Sequence, residues 1–148
     1  MRPPLNISID WTEKLQFTAI NDKTNAKVAI DIITPDQTQE YTGTGPKHVF
    51  LQGLAGCAGG AIIFLLEKMR AEMPSKFGID VHGILTTDHP MYFETIDMTY
   101  RFEGKTDENT LKKVVTMTEE KYCGLTYMLS KMAKINIIIK LNGKTIEL

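Results

Sequence analysis

Apolar and polar residues alternate from the first strand-length stretch of the chain. Leu5, Ile7, Ile9 and Trp11 are separated by Asn6, Ser8 and Asp10, the period of two that marks a half-buried strand. Leu15, Phe17 and Ala19 repeat the pattern. Asn21-Asp-Lys-Thr-Asn25 then supplies turn chemistry, and Val28, Ile30 and Ile32 form a third short strand. The chain is therefore predicted to open as an antiparallel meander. Thr34 to Gly45 is polar and aperiodic, which reads as a loop and a possible site wall. The period then changes. Leu51, Leu54, Ala55, Ala58, Ile62, Leu65, Leu66 and Met69 recur at intervals of three and four, the stripe of a buried helix. Pro46 suits its first turn, and Pro74 lies beyond its end.

Strand spacing returns at Phe77 to Leu85, with Ile79, Val81 and Gly83 on one side. Asp88-His-Pro90 reads as a turn, followed by a strand from Tyr92 to Glu103. There Tyr92, Ile96, Met98, Tyr100 and Phe102 share a face, opposite Phe93, Thr95, Asp97, Thr99, Arg101 and Glu103. The two runs form a hairpin whose packed face lies under the central helix. Thr106 or Asp107 can cap the next helix, with Leu111, Val114, Val115, Thr118 and Tyr122 as its stripe. Leu125, Met128, Leu129 and Met132 suggest a further short helix. Ile135 to Leu141 is a β-branched strand, and Asn142-Gly143 is a hairpin turn before a returning strand from Thr145 to Leu148. The order predicts one α+β domain over residues 1–148 with a mostly antiparallel sheet.

Composition narrows the function classes. The 148 residues are 43% hydrophobic and 24% charged, ordinary for a globular protein. A formal net charge of −1, without a basic run, predicts neither nucleic acid nor anionic lipid as partner. No secretory signal is evident, and the strongest apolar run, Ala61 to Leu66, is short for a membrane span. A cytoplasmic location is expected. In that compartment two cysteines are reactive, buried or transiently paired sooner than permanently bridged.

Those cysteines, Cys57 and Cys123, both stand beside glycine. Gly53, Gly56, Gly59 and Gly60 surround Cys57, each costing a helix about 1 kcal/mol relative to Ala. Two readings account for them. Gly53, Gly56 and Gly60 fall on one face, where another backbone could approach. Alternatively the helix breaks near Gly53–Gly56 and restarts at Cys57, placing the thiol in the positive end of a macrodipole. His48, His82 and His89 give no close-spaced ligand pair with the cysteines, so no metal is expected. No phosphate-binding glycine loop is present either, and no cofactor is expected.

The motifs Pro46-Lys-His-Val-Phe-Leu-Gln-Gly-Leu-Ala-Gly-Cys57, Ile63-Phe-Leu-Leu-Glu-Lys-Met-Arg70 and Glu120-Lys-Tyr-Cys-Gly-Leu125 resemble the OsmC/Ohr family of osmotically inducible and organic hydroperoxide resistance proteins. The resemblance runs from about Trp11 to Leu141. It implies an OsmC-like fold, an intertwined homodimer with sheets wrapped around two central helices, and a thiol site at the subunit interface. It further implies that Cys57 is the peroxidatic nucleophile and Cys123 the resolving cysteine, with a dithiol as reductant. The family's peroxidases carry a glutamate about ten residues before the first cysteine, where this chain has Lys47 followed by His48. They also carry an arginine in the N-terminal half; the arginines here are Arg2, Arg70 and Arg101.

The reading is thus a thiol-dependent peroxidase acting on organic hydroperoxides, with Cys57 and Cys123 facing each other across an interface pocket. The alternative keeps the fold without turnover, as a small-molecule-binding or redox-sensing protein. In that case a pocket lined by Phe50, Met69 and Tyr127 would take a small apolar ligand.

Overall fold

The computed structural model describes residues 1–32 and 42–148, so most of the loop expected from Thr34 to Gly45 lies outside the described residues. Two compact units divide the chain, Met1–Phe50 and Leu51–Leu148. In the first, β1 (Ile7–Glu13), β2 (Gln16–Asn21) and β3 (Lys27–Asp31) form the expected antiparallel meander in the order β1-β2-β3. The Asn21 carboxamide closes the second turn by accepting the backbone N–H groups of Lys23 and Thr24, each at 3.0 Å. Trp11 pairs with Phe17 and Phe17 with Ile30, while Ile9 pairs with Ala19 and Ala19 with Val28. Cross-strand partners point to the same side, so these residues share one apolar face. The expected half-burial of β1 is not met: Ile7 is 65%, Ile9 50% and Trp11 67% exposed. The alternation was real, but among the described residues the apolar side chains of β1 stay exposed.

One unbroken helix, α1 (Pro46–Lys68), carries the glycine-rich stretch. The restart at Cys57 does not occur, so that residue lies mid-helix, away from the partial charge at a helix terminus. Length and composition alone would let α1 cross a bilayer, although its run of consecutive strongly apolar residues is short. Within the chain, Leu54, Ala58, Ile62, Leu65 and Leu66 of this helix are packed in the core.

The core of the second unit lies on a four-stranded sheet in the order β4-β5-β6-β7, formed by β4 (Lys76–Leu85), β5 (Phe93–Glu103), β6 (Lys134–Leu141) and β7 (Lys144–Ile146). Alternation along β5 decides its sidedness: Ile96, Met98, Tyr100 and Phe102 are buried, and Phe102 stacks on Phe77 at 4.6 Å. On the opposite side Arg101 grips the Asp80 carboxylate at 2.6 and 3.1 Å. Tyr92, assigned to the buried row, precedes the strand and is 58% exposed. Helix α1 lies close on β4. A Cβ added at Gly59 would meet the Ile79 Cδ1 at 3.3 Å and the Phe77 ring at 3.6 Å, so this glycine permits close approach.

Two of the three strand pairings are antiparallel, but β5 and β6 pair in parallel. A parallel pair needs a crossover. It consists of α2 (Glu108–Met117), a π-helical turn over Thr118–Tyr122, and α3 (Gly124–Leu129). Asp107 is the cap of α2, accepting the Thr110 N–H at 2.9 Å, while Thr106 instead donates to the Glu72 carbonyl at 2.7 Å. The wider turn interrupts the α period, so Tyr122 leaves the predicted stripe and is 38% exposed. Asn142 and Gly143 take positive φ values of 51° and 81°, the turn their sequence predicts.

Candidate functional site

The two sulfurs reach the same place from different elements. Cys57 sits on α1 at the border between the buried stripe and the open glycine stripe, partly exposed. Cys123 sits between the π turn and α3, fully buried. Sixty-six positions of sequence separate them, yet in one chain Cys57 packs against the core cluster that holds Cys123, and the two thiols are neighbours. Both are reduced.

Local backbone geometry aims Cys123 inward. Its N–H bonds to the Thr118 carbonyl at 2.9 Å, closing the π turn. Its sulfur then accepts the Thr126 N–H at 3.4 Å, serving as the cap of α3. Burial pushes the Cys123 thiol above the usual range, and the neighbouring Cys57 pushes the same way. Thr126 opposes both by favouring the thiolate. Its own hydroxyl is buried, stands beside the sulfur, and has no aligned hydrogen-bond partner among the described residues.

A second buried group shares the core cluster of Cys123. The Tyr100 hydroxyl, wholly buried on β5, donates to the Glu119 carboxylate of the π turn and lies 3.9 Å from the Met98 sulfur. Burial and then the Glu119 charge hold the Tyr100 phenol protonated well above its usual range, with smaller contributions from both cysteines. Burial also raises Glu119, while the phenol's hydrogen bond partly offsets the rise. Glu119 and Thr126 further line a cleft of about 390 Å³, with Glu120, Tyr127, Lys131 and Ile137 among its other walls.

The remaining expected residues are placed elsewhere. Lys47 and His48 are exposed in the first turn of α1. Ten residues of continuous helix put Lys47 roughly 15 Å along the axis from Cys57, so it does not stabilise that sulfur from the same chain. His82 and His89 are exposed. Arg101 is engaged by Asp80 on the outer side of the sheet. Phe50, Met69 and Tyr127 are each exposed, at 47%, 38% and 55%, and of the three only Tyr127 lines the cleft. Among the described residues, no three His, Cys, Asp or Glu side chains gather as a metal site. Tyr100, Glu119 and Thr126 were not singled out by sequence. The available signal was a phenol inside an otherwise apolar row, and an acid four residues before a cysteine.

The chain matches the model of one protein family, described as OsmC-like protein, over residues 35–138. No curated protein sequence matches it. Among solved structures, an OsmC-like protein from Mycoplasma pneumoniae is 23% identical, with 95% of this chain and 99% of that one covered and a TM-score of 0.80. A hypothetical protein from Aquifex aeolicus VF5 is 20% identical over 95% and 98% of the two chains, with a TM-score of 0.82. The organic hydroperoxide resistance protein OhrB of Bacillus subtilis is 15% identical over 94% and 98%, with a TM-score of 0.66. At these identities the structural likeness establishes the fold.

Proposed function

Because this chain belongs to the OsmC-like protein family, we propose that it is a two-cysteine, thiol-dependent peroxidase reducing organic hydroperoxides. The observation that carries this reading is that two reduced thiols, remote in sequence, are neighbours in the fold. A structural neighbour named as an organic hydroperoxide resistance protein supports the substrate class.

Exposure supports the division of roles. Cys57 is the more accessible sulfur and Cys123 is sealed, so the peroxide meets Cys57 first. The Cys57 thiolate attacks the outer peroxide oxygen; the O–O bond breaks, the alcohol leaves with a proton, and Cys57 becomes a sulfenic acid. Cys123 then attacks that sulfur. The S–S bond forms, the S–O bond breaks, and water leaves. A dithiol reductant of the cytoplasm restores both thiols by exchange.

The same reading makes the protein a homodimer. Helix α1 is apolar on both sides: Leu54, Ala58 and Ile62 are buried, while Gly53, Gly56 and Gly60 face open space and Phe64 is 53% exposed. A helix apolar all round is normally enclosed, and a second copy of this chain would enclose it.

The test is consumption of cumene hydroperoxide in the presence of a dithiol. The parent protein turns over many equivalents, and Cys57→Ser turns over none. A parent that forms the Cys57–Cys123 disulfide once and is not recycled by any dithiol would be a redox sensor. A parent that consumes no peroxide and keeps both thiols ends the peroxidase reading and leaves ligand binding.

A further inference from the structure

In the peroxidase reaction one proton must travel from the buried Cys123 thiol to the departing hydroxide. Cys123 must lose its thiol proton to attack the sulfenic acid, and its surroundings disfavour the thiolate: the sulfur is buried, and its thiol partner Cys57 offers no charge to stabilise it. Thr126 contributes an N–H donor, which steadies a thiolate but accepts no proton. The titratable groups gathered around Cys123 are Cys57 from α1, Tyr100 from β5 and Glu119 from the π turn itself. Lys131 of the following segment and Glu120 lie farther out, on the cleft walls.

We propose that Tyr100 and Glu119 form a proton path serving Cys123, with Glu119 as the terminal acceptor that discharges into the cleft bounded by Glu120, Tyr127 and Lys131. Three features of geometry carry this. Glu119 and Cys123 belong to one turn closed by the Cys123 N–H. The Tyr100 hydroxyl donates to Glu119, which leaves its oxygen able to accept a proton in turn. Glu119 also lines the cleft, so a single carboxyl joins a sealed phenol to solvent. A purely structural anchor for Tyr100 would be served by an amide, which avoids the cost of burying an ionisable group. The raised affinity of Glu119 for a proton agrees with the assignment.

The step balances as follows, and it rests on the peroxidase reading for its oxidant, an organic hydroperoxide. The Cys123 proton passes to the Tyr100 oxygen as Tyr100 passes its own to the Glu119 carboxylate. The Cys123 thiolate attacks the Cys57 sulfenic sulfur, the S–O bond breaks, and the departing hydroxide becomes water by taking a proton from the solvent of the cleft. Glu119 returns one proton to the cleft. Tyr100 and Glu119 are therefore positioning and proton-carrying residues, acting through Cys123.

The test separates closure of the disulfide from the oxidation before it. One equivalent of cumene hydroperoxide is mixed with parent, Glu119→Gln and Tyr100→Phe, and samples are quenched at intervals with dimedone or acid alkylation. Sulfenate at Cys57 is expected to form at the parental rate in all three. Closure to the Cys57–Cys123 disulfide is expected to slow about a hundredfold in both variants, and in Glu119→Gln to lose the pH dependence that the parent shows. Glu119→Gln retains an oxygen that accepts from Tyr100, so a variant that melts like the parent and closes as fast at every pH overturns the proposal. Diamide, which also requires Cys123 to deprotonate, provides a peroxide-independent arm. If the parent makes no sulfenate, the peroxidase reading fails; slowed diamide closure in Glu119→Gln then still upholds the proton path, and unchanged closure removes it.

Discussion

Cys123 caps the helix that begins beside it: its sulfur accepts the Thr126 N–H at 3.4 Å while the side chain is wholly buried. The thiol is thereby a structural group, and in the proposed peroxidase it is the resolving one as well. Its folded pKa lies above the ordinary thiol value because burial penalises the thiolate. A group raised in this way holds its stabilising contribution below the unfolded pKa of about 8.5 and loses it as pH rises through the folded value. Urea denaturation of the reduced parent should therefore weaken above about pH 8.5. Cys123→Ser keeps a capping oxygen, does not titrate, and should lack that decline. Iodoacetamide at neutral pH should label Cys57 long before Cys123, as read by peptide mass spectrometry.

Glu119 has the same sign at lower pH. Burial raises its carboxyl, so the folded state is favoured while it is protonated and loses that advantage as pH climbs from about 4.3 through the folded value. Replacing it with Gln removes the titration. The melting temperature of Glu119→Gln relative to the parent should thus rise between acid and neutral pH and then level off. A difference that stays constant across the range would mean the carboxyl titrates as an ordinary one.

The glycines of α1 divide into two kinds. A Cβ at Gly59 meets Ile79 at 3.3 Å, whereas Gly56 faces open space within the chain. In a monomer, Gly56→Ala would gain about 1 kcal/mol of helix propensity. In the proposed dimer that face is occupied, and Gly56→Leu should shift the species in sedimentation velocity from dimer to monomer. A Gly56→Leu protein that sediments like the parent would place the dimer contact elsewhere.

Asn142 secures the last hairpin. Its carboxamide accepts the Gly104 N–H at 2.9 Å and donates to the Gly104 carbonyl at 3.0 Å, from a residue with φ of 51°. Asn142→Ala loses both bonds and strains the backbone, at a cost of about 2 kcal/mol. Asn142→Gly relieves the strain yet restores neither bond, so urea midpoints should rank parent, then Gly, then Ala.

Much of this architecture is legible in residue spacing. The meander, the long helix, the β5 alternation and the Asn142-Gly143 turn all follow from local periodicity and turn chemistry, which single positions encode. The parallel pairing of β5 with β6 does not, because strand direction depends on how a crossover packs and not on any one stretch. For the same reason the proximity of Cys57 and Cys123 came from family resemblance and not from counting. The continuity of α1 through four glycines was undecided by propensity, since helix packing overrides a cost of about 1 kcal/mol per residue. Tyr100 and Glu119 escaped notice because a phenol in an apolar row reads as core until its hydroxyl partner is known.

The π turn at Thr118–Tyr122 has a consequence for how this site could diverge. A π turn closes over one residue more than an α turn, so deleting one residue there would let it tighten to the α period while the segments on either side keep their directions. The spacing between Glu119 and Cys123 is thus the part of the chain that can change length with the least disturbance to the core around it.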